Sequence, residues 1–191
     1  SVTLNDGTSI SCDRVVIATH ADDALALLDS PTQAEQELLA KFRYQPNETF
    51  LHTDRALMPR RRQVWSSWNY LANRHQEAER AVSVTYWMNR LQGLETDIDY
   101  LVSLNPLHLP DQEKIIKRMT YMHPVFDTPA MTAQQQLHTL QGQHNTWFAG
   151  SYFGYGFHED ALRSAVEVAR SLGVNPPWEE QQPQQTPLMS A

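Results

Sequence analysis

The sequence predicts a mixed α+β fold, and three segments carry that prediction. Residues 81–88 alternate between two faces, which is typical of a strand in an antiparallel sheet with one wetter face. Residues 32–35 read Thr-x-x-Glu, the capping box that begins a helix. Residues 147–172 run from an apolar aromatic segment through a glycine-rich loop into an amphipathic helix. Strand and helix periods therefore occur in one chain, with no internal repeat.

The N-terminal segment predicts a hairpin, a strand and a helix in that order. Asn5-Asp6-Gly7 lies between two short β-prone runs, which is a strong hairpin signal. Residues 14–18 form a continuous apolar run after Arg14 and predict a buried strand. Residues 21–28 predict a helix, because Asp22 and Asp23 would interact favourably with the dipole in its first turn.

The middle of the chain predicts helices and several strands. The helix that begins at the capping box carries Leu38, Leu39 and Phe42 on one face. Residues 131–140 predict a second, short helix. The predicted strands are residues 49–53, 64–71, 81–88, 101–104 and 116–121. In the strand at 81–88, one face would carry Val82, Val84, Tyr86 and Met88, and the other Ser83, Thr85 and Trp87.

The last predicted helix lies at the end of the folded part of the chain. Gly173 should end it as the residue after the C-cap. Its predicted apolar stripe consists of Ala161, Leu162, Ala165, Val166, Ala169 and Leu172. Residues 176–191 begin with two prolines and continue as a Gln/Pro-rich stretch, which predicts a disordered tail.

Composition excludes some functions and favours one compartment. The net charge of −7, from 15 basic and 22 acidic residues, argues against a nucleic-acid partner. No apolar run reaches the roughly 18 residues of a membrane span. The single cysteine, Cys12, excludes an internal disulfide and predicts a reducing, cytoplasmic location. The eight histidines are scattered and no Cys/His spacing is typical of zinc, so no metal site is predicted.

The order of residues in the C-terminal segment resembles the FAD-binding segment of the flavin-containing amine oxidoreductases. The shared pattern is Phe148-Ala149-Gly150, a loop, Gly156-Phe157, and Glu159 at the start of a helix. The bacterial branch of that superfamily, described as predicted NAD/FAD-binding proteins, is the most similar. The further motifs that resemble it are RYQPN at 43–47, LHTD at 51–54, MPRRR at 58–62, SWNY at 67–70 and HPVFD at 123–127.

The resemblance implies a domain organisation and an incomplete enzyme. Residues 1–30 would be a hairpin and strand of an FAD domain, and residues 31–142 an antiparallel-sheet substrate domain with helices. Residues 143–175 would be the C-terminal FAD-binding strand, loop and helix, followed by the tail at 176–191. No G-x-G-x-x-G turn is present. The chain is therefore expected to be the C-terminal part of a larger enzyme, whose partner is a missing N-terminal FAD-binding half, and to be inactive alone.

The resemblance also implies a cofactor and the residues that contact it. FAD is expected in the intact protein and not in this chain alone, and a small-molecule substrate would donate a hydride to it. Phe157 matches the position of an aromatic beside the substrate, so it is the candidate on the substrate side, and no catalytic residue is assigned. The implied cofactor-binding residues are Thr19, His20, Gly150, Ser151, Tyr152, Gly156, Phe157, His158 and Ala161.

Several assignments stay open at this point. Relatives often carry an acidic residue after the Ala-Gly pair, where this chain has Ser151 and Tyr152, and no lysine matches the one that some place near the flavin. His20 is either a contact to flavin phosphates or a helix-entry residue. The run at 60–62 is interpreted as a solvated turn. Candidates for a second substrate-side aromatic are Trp68, Tyr70, Tyr86 and Trp87.

Two functional alternatives remain beside an amine oxidase-like enzyme. One is a flavin-dependent desaturase or isomerase that acts on a lipid-like substrate, which the apolar and aromatic strand faces would allow. The other is a non-enzymatic α+β binding module without flavin. In that case the segment at 147–172 would be an ordinary strand and capped helix, with Glu159 and Asp160 complementing the helix dipole.

Overall fold

The computed structural model describes residues 1–72 and 82–179 and confirms the mixed α+β class. The chain divides into two compact units. The first unit combines residues 1–44 with residues 124–191, and the second is residues 45–123. The chain passes from one unit to the other within two long strands. This division differs from the predicted boundaries at 30 and 142, because the helices at 33–39 and 128–134 contact each other within the first unit.

The first unit contains most of the helices and two small sheets. The hairpin pairs β1 with β2 antiparallel, and β3 pairs with β9 in parallel. Its elements are β1 (Val2–Thr3), β2 (Ser9–Ile10), β3 (Val15–Ile17), α1 (Ala21–Ala26), α2 (Gln33–Leu39), α4 (Thr128–Gln134), β9 (Thr146–Phe148) and α5 (His158–Ser171). Short 3₁₀ turns lie at Leu137–Leu140, Gln143–Asn145 and Ser151–Phe153.

The core of the first unit is a single apolar cluster built by segments from both ends of the chain. Phe148 of β9 and Tyr152 of the following loop are both buried in it. Removing such large side chains from water contributes about 1.5–3 kcal/mol each to folding. The other buried members are Ile17, Ala21, Ala24, Leu39, Phe42, Ala130, Ala133, Leu137 and Leu140.

The second unit contains most of a five-stranded sheet in the order β5-β6-β7-β4-β8, in which β5 to β6, β6 to β7 and β7 to β4 are antiparallel. Its strands and helix are β4 (Arg43–His52), β5 (Trp68–Ala72), β6 (Val82–Trp87), α3 (Met88–Gln92), β7 (Leu101–Leu104) and β8 (Ile115–Val125). Short 3₁₀ turns lie at Arg55–Leu57, Arg62–Val64 and Gln112–Lys114. Met58, Trp65 and Leu101 form its small apolar cluster.

The covered face of the five-stranded sheet carries polar side chains among apolar ones such as Phe50 and Leu101. Cross-strand partners place Asn69, Thr85 and Ser103 on one face, and all three are buried. The opposite face carries Trp68 and Tyr70, which are 45% and 62% exposed. The alternation predicted in β6 is therefore correct, and its less buried face is the one that carries Val84 and Tyr86.

Several local predictions are confirmed. The hairpin turn contains Gly7 at φ +84°, a backbone conformation that glycine adopts without steric cost. Thr32 and Glu35 form the reciprocal capping box. The strand at 101–104 has the predicted bounds. At the end of α5, the Gly173 and Val174 N–H groups donate to the carbonyls of Arg170 and Ala169, which is a Schellman motif.

Other observed boundaries differ from the predicted ones. β4 begins at Arg43 and β8 ends at Val125, although Pro46 and Pro124 lie inside them. The predicted helix at 131–140 is an α-helix from Thr128 that ends at Gln134, followed by a 3₁₀ turn. The predicted strand at 64–71 begins only at Trp68 and runs to Ala72. Residue 81 and most of the predicted disordered tail lie outside the described residues.

The stripe predicted for α5 is wrong. Leu162 is 48% exposed, and the buried positions are Asp160, Ser164 and Val168. The reason is chemical, because Asp160 and Ser164 hydrogen-bond to the loop that precedes the helix. The buried face of the helix is therefore polar at two of its three positions, Asp160 and Ser164, and apolar at Val168.

Candidate functional site

The candidate site lies at the carboxyl ends of the two parallel strands of the first unit. β3 pairs with β9 in register, Val15 with Thr146 and Ile17 with Phe148. Both strands therefore end at the same edge, where Ala149 N–H continues the ladder to the Ile17 carbonyl. The loops that follow lead into α1 and α5, so the two helices begin after this edge. Ligands of α/β sheets bind outside the carboxyl ends of strands.

Gly150 is the point where the two loops meet. A Cβ built on this residue would lie 2.5 Å from the Tyr152 ring and 3.1 Å from the Thr19 carbonyl oxygen. Its N–H donates to the Ser164 hydroxyl of α5 at 2.9 Å, and that hydroxyl donates to the Ala161 carbonyl at 2.7 Å. Any side chain at Gly150 would therefore push the loops apart. Thr19, Gly150 and Ala161 of the predicted set are brought together here.

His20 is the N-cap residue of α1, which supports the helix-entry interpretation. Its imidazole stacks on the Tyr44 ring with 4.2 Å between centroids and 14° between planes. The Tyr44 hydroxyl accepts the Ala21 N–H at 2.9 Å and so caps the helix from a distant segment. Burial raises the pKa of Tyr44 to about 12, with a smaller contribution from the charges of Asp22 and Asp23. Tyr44 was absent from the predicted site, because its contact is not local in sequence.

His20, Asp22 and Asp23 form a cluster of three potential metal ligands. One ligand atom from each of His20, Asp22 and Asp23 lies within 4.8 Å of the others. Cysteine and histidine spacing alone does not reveal this cluster, because two of its three members are aspartates. All three groups are close to the solvent, where such clusters are common without an ion. The two carboxylates make this side of the edge negatively charged.

The loop between β9 and α5 is held by one carboxylate. Asp160 Oδ2 accepts the N–H groups of Tyr155 at 2.9 Å and Phe157 at 3.1 Å, and Oδ1 accepts Arg163 at 2.6 Å. Burial alone would raise the pKa of Asp160, but these N–H donors and the guanidinium outweigh it and lower the pKa. Gly154 is required here, because a Cβ on it would lie 2.2 Å from the Asp160 carboxyl carbon.

The remaining predicted residues differ in what they present to the surface. Gly156 has φ +88°, and a Cβ there would lie 3.0 Å from the Phe126 ring. Phe157 and His158 are exposed, at the first turn of α5. Ser151 is half-buried, and its carbonyl accepts the N–H groups of Gly154 and Gly156.

Tyr152 differs from the other predicted contact residues because its side chain lies in the core. Its side chain is buried against Phe42, with ring centroids 5.3 Å apart, so only its backbone can reach a ligand. Its hydroxyl has no hydrogen-bond partner in the described part of the chain. Burial raises the pKa of this phenol, which stays neutral. The Tyr152 carbonyl accepts the Gln134 side-chain amide at 3.0 Å.

The N-terminal end of α5 is a candidate contact for an electron-rich ligand atom. Phe157 is the N-cap, and His158 and Glu159 are the first two helical residues. The N–H groups of a first helical turn have no acceptor within the helix. The helix is 14 residues long, so its dipole adds partial positive charge at this end.

The aromatic candidates fall into two groups. Trp68 and Tyr86 meet edge-on at 5.7 Å, on the same open sheet face as Tyr70. Trp87 lies on the covered face, where its indole N–H donates to Asp99 at 2.9 Å. Trp87 is therefore a structural residue, whereas Trp68 and Tyr70 are exposed and Tyr86 is half-buried beside them.

The arginine run is only partly the solvated turn that the sequence predicts. Arg60 and Arg61 are exposed, whereas Arg62 makes two bonds to the buried carboxylate of Asp99, at 2.7 and 3.0 Å. Arg55 binds the same carboxylate at 2.7 Å. Burial would raise the pKa of Asp99, but the two guanidiniums and the indole N–H lower it.

A buried histidine in the second unit resembles catalytic machinery but is not arranged for it. His52 Nδ1 accepts the Asp54 N–H, and Nε2 lies 2.8 Å from the Ser103 hydroxyl. A neutral ring whose Nδ1 accepts must carry its proton on Nε2, so it donates to Ser103 and cannot act as its base. Burial lowers the pKa of His52 to about 4, which keeps the ring neutral.

A surface groove of about 540 Å³ lies elsewhere in the first unit, between α2 and α4. Its lining includes Leu38, Lys41, Pro129 and Ala133. None of the predicted site residues lines it. Among the described residues, no helix is long and apolar enough to cross a membrane.

Comparison with known proteins supports the fold and goes no further. No protein-family model matches the chain, and no curated protein matches it. A solved structure that matches is that of a CLA-producing fatty acid isomerase from P. acnes, with a TM-score of 0.54 and 16% identity. The match covers 85% of this chain and 42% of that protein, so the chain spans less than half of its structural neighbour. At this identity the similarity is one of fold, and the chain has the fold of part of that enzyme.

Proposed function

We propose that this chain is the C-terminal part of an FAD-dependent oxidoreductase resembling the amine oxidases, which transfers a hydride from a small-molecule substrate to flavin. The observation that carries the proposal is the meeting of the Thr19 and Gly150 loops at the carboxyl ends of β3 and β9. Residues from both ends of the chain build this edge, as the resemblance to the flavoprotein superfamily implies. The remaining FAD contacts would come from an N-terminal half outside this sequence.

The residues present suit one part of FAD better than another. The glycine loop and the first turn of α5 offer backbone N–H groups and an exposed aromatic, Phe157, which suit the edge of a flat heteroaromatic ring. The Asp22 and Asp23 carboxylates beside His20 would repel a pyrophosphate. We therefore assign this chain the ring edge, and we expect the pyrophosphate to bind the missing half.

The chain's own residues would position the ring and its substrate. The flavin would supply the hydride-accepting chemistry, and the protein supplies position and electrostatics. The first-turn N–H of His158 would stabilise negative charge on the ring edge through the helix dipole. Asp160 would hold the loop by accepting the N–H groups of Tyr155 and Phe157. Phe157 would pack against the substrate, since it has an aromatic face and no hydroxyl.

A pair of substitutions at His158 tests the assignment without unfolding the helix. Proline at this position deletes one N–H, and proline is well tolerated at the first helical position. The preceding residue, Phe157, already has the extended backbone that proline requires, with φ −88° and ψ 159°. In the full-length protein, His158→Pro should lower flavin content or shift the visible flavin spectrum. His158→Ala keeps the N–H and should leave both unchanged.

The outcomes of this experiment separate a flavin enzyme from the non-enzymatic binding module. A colourless full-length protein, with no flavin after addition of FAD, would favour the non-enzymatic binding module. A yellow protein with identical spectra in the two variants would remove the start of α5 from the site.

The 191-residue chain alone should not hold FAD tightly, because it lacks the glycine-rich turn that binds the pyrophosphate. Stoichiometric flavin that purifies with this chain would contradict that expectation.

A desaturase or isomerase acting on a lipid-like substrate is the second candidate. The uncharged aromatic surface formed by Trp68, Tyr70 and Tyr86 favours an apolar substrate. The structural neighbour named a fatty acid isomerase is consistent with it. A fluorescent long-chain fatty acid that is displaced by unlabelled fatty acid, but not by a hydrophobic amine, would support this candidate. A fluorescent hydrophobic amine that is displaced by unlabelled amine, but not by fatty acid, would support an amine substrate. We propose a cytoplasmic, bacterial enzyme in either case.

A further inference from the structure

We propose that the second unit carries a docking surface for the headgroups of an anionic lipid bilayer, formed by residues 55–65 and 88–99. We call it the arginine patch. It is independent of the flavin assignment, because none of its residues belongs to the edge at β3 and β9. Its five arginines are Arg55, Arg60, Arg61, Arg62 and Arg90.

The segments of the arginine patch are held together by specific contacts. Asp99 binds Arg55 and Arg62, one from each of two short turns. Arg90 of α3 donates to the Trp65 carbonyl at 3.0 Å. The loop after α3 is fixed by Asn89, whose side chain donates to the Ile98 carbonyl at 2.7 Å. The arginines therefore occupy one continuous, ordered part of the unit.

The arginine patch has an excess of positive charge in an acidic protein. Its carboxylates are Glu95, Asp97 and Asp99, three against five arginines, whereas the whole chain has a net charge of −7. Asp99 is shared by two guanidiniums, so it cannot neutralise both. Arg62 also lies 4.9 and 5.2 Å from the rings of Trp65 and Trp87, which fixes its orientation. Fixed guanidiniums bind phosphate oxygens well.

Exposed aliphatic side chains accompany this charge. Val64 is 59% exposed and Leu94 is 37% exposed, and the exposed fractions of Leu91 and Ile98 fall between these two values. Exposed aliphatic groups beside arginines suit the boundary between lipid headgroups and acyl chains, where the charges meet anionic headgroups and the apolar groups insert. A nucleic-acid surface would favour stacking aromatics over exposed leucine and valine. The combination favours an anionic bilayer.

Vesicle co-sedimentation of the full-length protein tests the proposal. Binding is expected to vesicles that contain phosphatidylglycerol, and not to vesicles of phosphatidylcholine alone. Arg60→Glu with Arg61→Glu should weaken binding at least about tenfold, and so should high salt. Within the described residues these two side chains form no ion pair, so their replacement should leave the melting temperature unchanged. Leu91→Ser with Ile98→Ser should remove the part of the binding that resists salt.

A matched control changes the same charge elsewhere. Lys41→Glu with Lys117→Glu replaces two exposed lysines and should keep vesicle binding within about twofold. An equal loss in this control would overturn the proposal, because binding would then depend on net charge alone. Absence of binding to anionic vesicles would also overturn it. The proposal would also fail if the arginine variant disrupted self-association or a complex with an acidic protein, while the unmodified protein bound no vesicles.

Discussion

The parallel pair β3 and β9 and the five-stranded sheet place their polar groups in opposite ways. Around the parallel pair β3 and β9, Ile17 and Phe148 are buried in an apolar cluster and the polar groups offered at the edge are largely backbone. In the five-stranded sheet, the covered face holds hydroxyls, an amide and an imidazole beside Phe50 and Leu101, and the open face carries Trp68, Tyr70 and Tyr86. An interior of polar groups is stable only when each has a partner. His52, Ser103 and Thr85 meet that condition through bonds of 2.7–2.8 Å.

This contrast indicates where each unit can vary without unfolding. The first unit depends on glycine backbone geometry and tolerates changes in the exposed side chains of its loop. The second unit depends on particular buried polar side chains and tolerates changes on its aromatic face. Substitutions of the loop glycines in the first unit and of the buried polar side chains in the second unit can therefore test this contrast.

The largest expected effect is that of Asp99→Ala in the second unit. It removes a buried carboxylate that binds Arg55, Arg62 and the Trp87 indole. Loss of one partner of a buried pair costs 3–5 kcal/mol, but these arginines are half-exposed and can regain water, so we expect about 2–4 kcal/mol. Urea unfolding measures it. Asp97→Ala, two residues away and exposed, should cost less than about 0.5 kcal/mol. Equal losses of stability in the two variants would show that the second unit does not depend on the buried carboxylate of Asp99.

Acid should destabilise the second unit through His52. Its pKa in the folded protein is about 4, below the ordinary 6.5, so the neutral ring is favoured by folding. Its contribution is complete above pH 6.5 and is lost as the pH falls from 6.5 to about 4, by roughly 3 kcal/mol at most. Unfolding free energies measured across this window test it. His52→Gln should remove that slope, and a slope that persists would assign it to other groups.

Gly156 and Gly173 have nearly the same backbone φ, so substituting each of them separates the cost of a positive φ from the cost of a steric contact in the loop of the first unit. Gly156 has φ +88° and Gly173 has φ +83°, but only at Gly156 would a Cβ meet another group, the Phe126 ring at 3.0 Å. Gly173→Ala should cost about 1 kcal/mol and Gly156→Ala about 2 kcal/mol. Thermal melts of both variants provide the comparison. Equal losses would show that Phe126 yields to the methyl group.

The smallest expected effect is that of Tyr152→Phe. The buried Tyr152 hydroxyl has no partner within the described chain, so its removal should be neutral or stabilising by up to about 1 kcal/mol. Ser103→Ala removes a hydroxyl that is bonded to His52 and should cost about 1–3 kcal/mol. A lower melting temperature for Tyr152→Phe would show that this phenol bonds to a group outside the described residues.

Local signals predicted the parts of the fold that depend on neighbouring residues. The turn at Gly7, the capping box at Thr32 and the helix stop at Gly173 all use contacts within a few residues. The glycine loop before α5 was found for the same reason. The pairing of β3 with β9 was beyond local reasoning, since it joins opposite ends of the chain.

The sequence could not predict which face of a strand or helix would be covered. Alternation in β6 defines two faces, but burial depends on what packs there, and here Ser83 and Thr85 are the covered residues. In α5, apolar periodicity predicted the wrong face because Asp160 and Ser164 have partners in the preceding loop. A side chain at Gly156 would meet the Phe126 ring, so Gly156→Val should destabilise the fold whether or not flavin binds.

The insertion of one unit within the other has a consequence for the order of folding. Val15 and Thr146 pair across more than a hundred intervening residues, so this contact requires closure of a long loop. β4 and β8, the strands by which the chain enters and leaves the second unit, are neighbours in the sheet. Once that sheet forms, the loop to be closed is effectively much shorter. We therefore expect the five-stranded sheet to fold first, and the edge formed by β3 and β9 to be the last part assembled and the first to open.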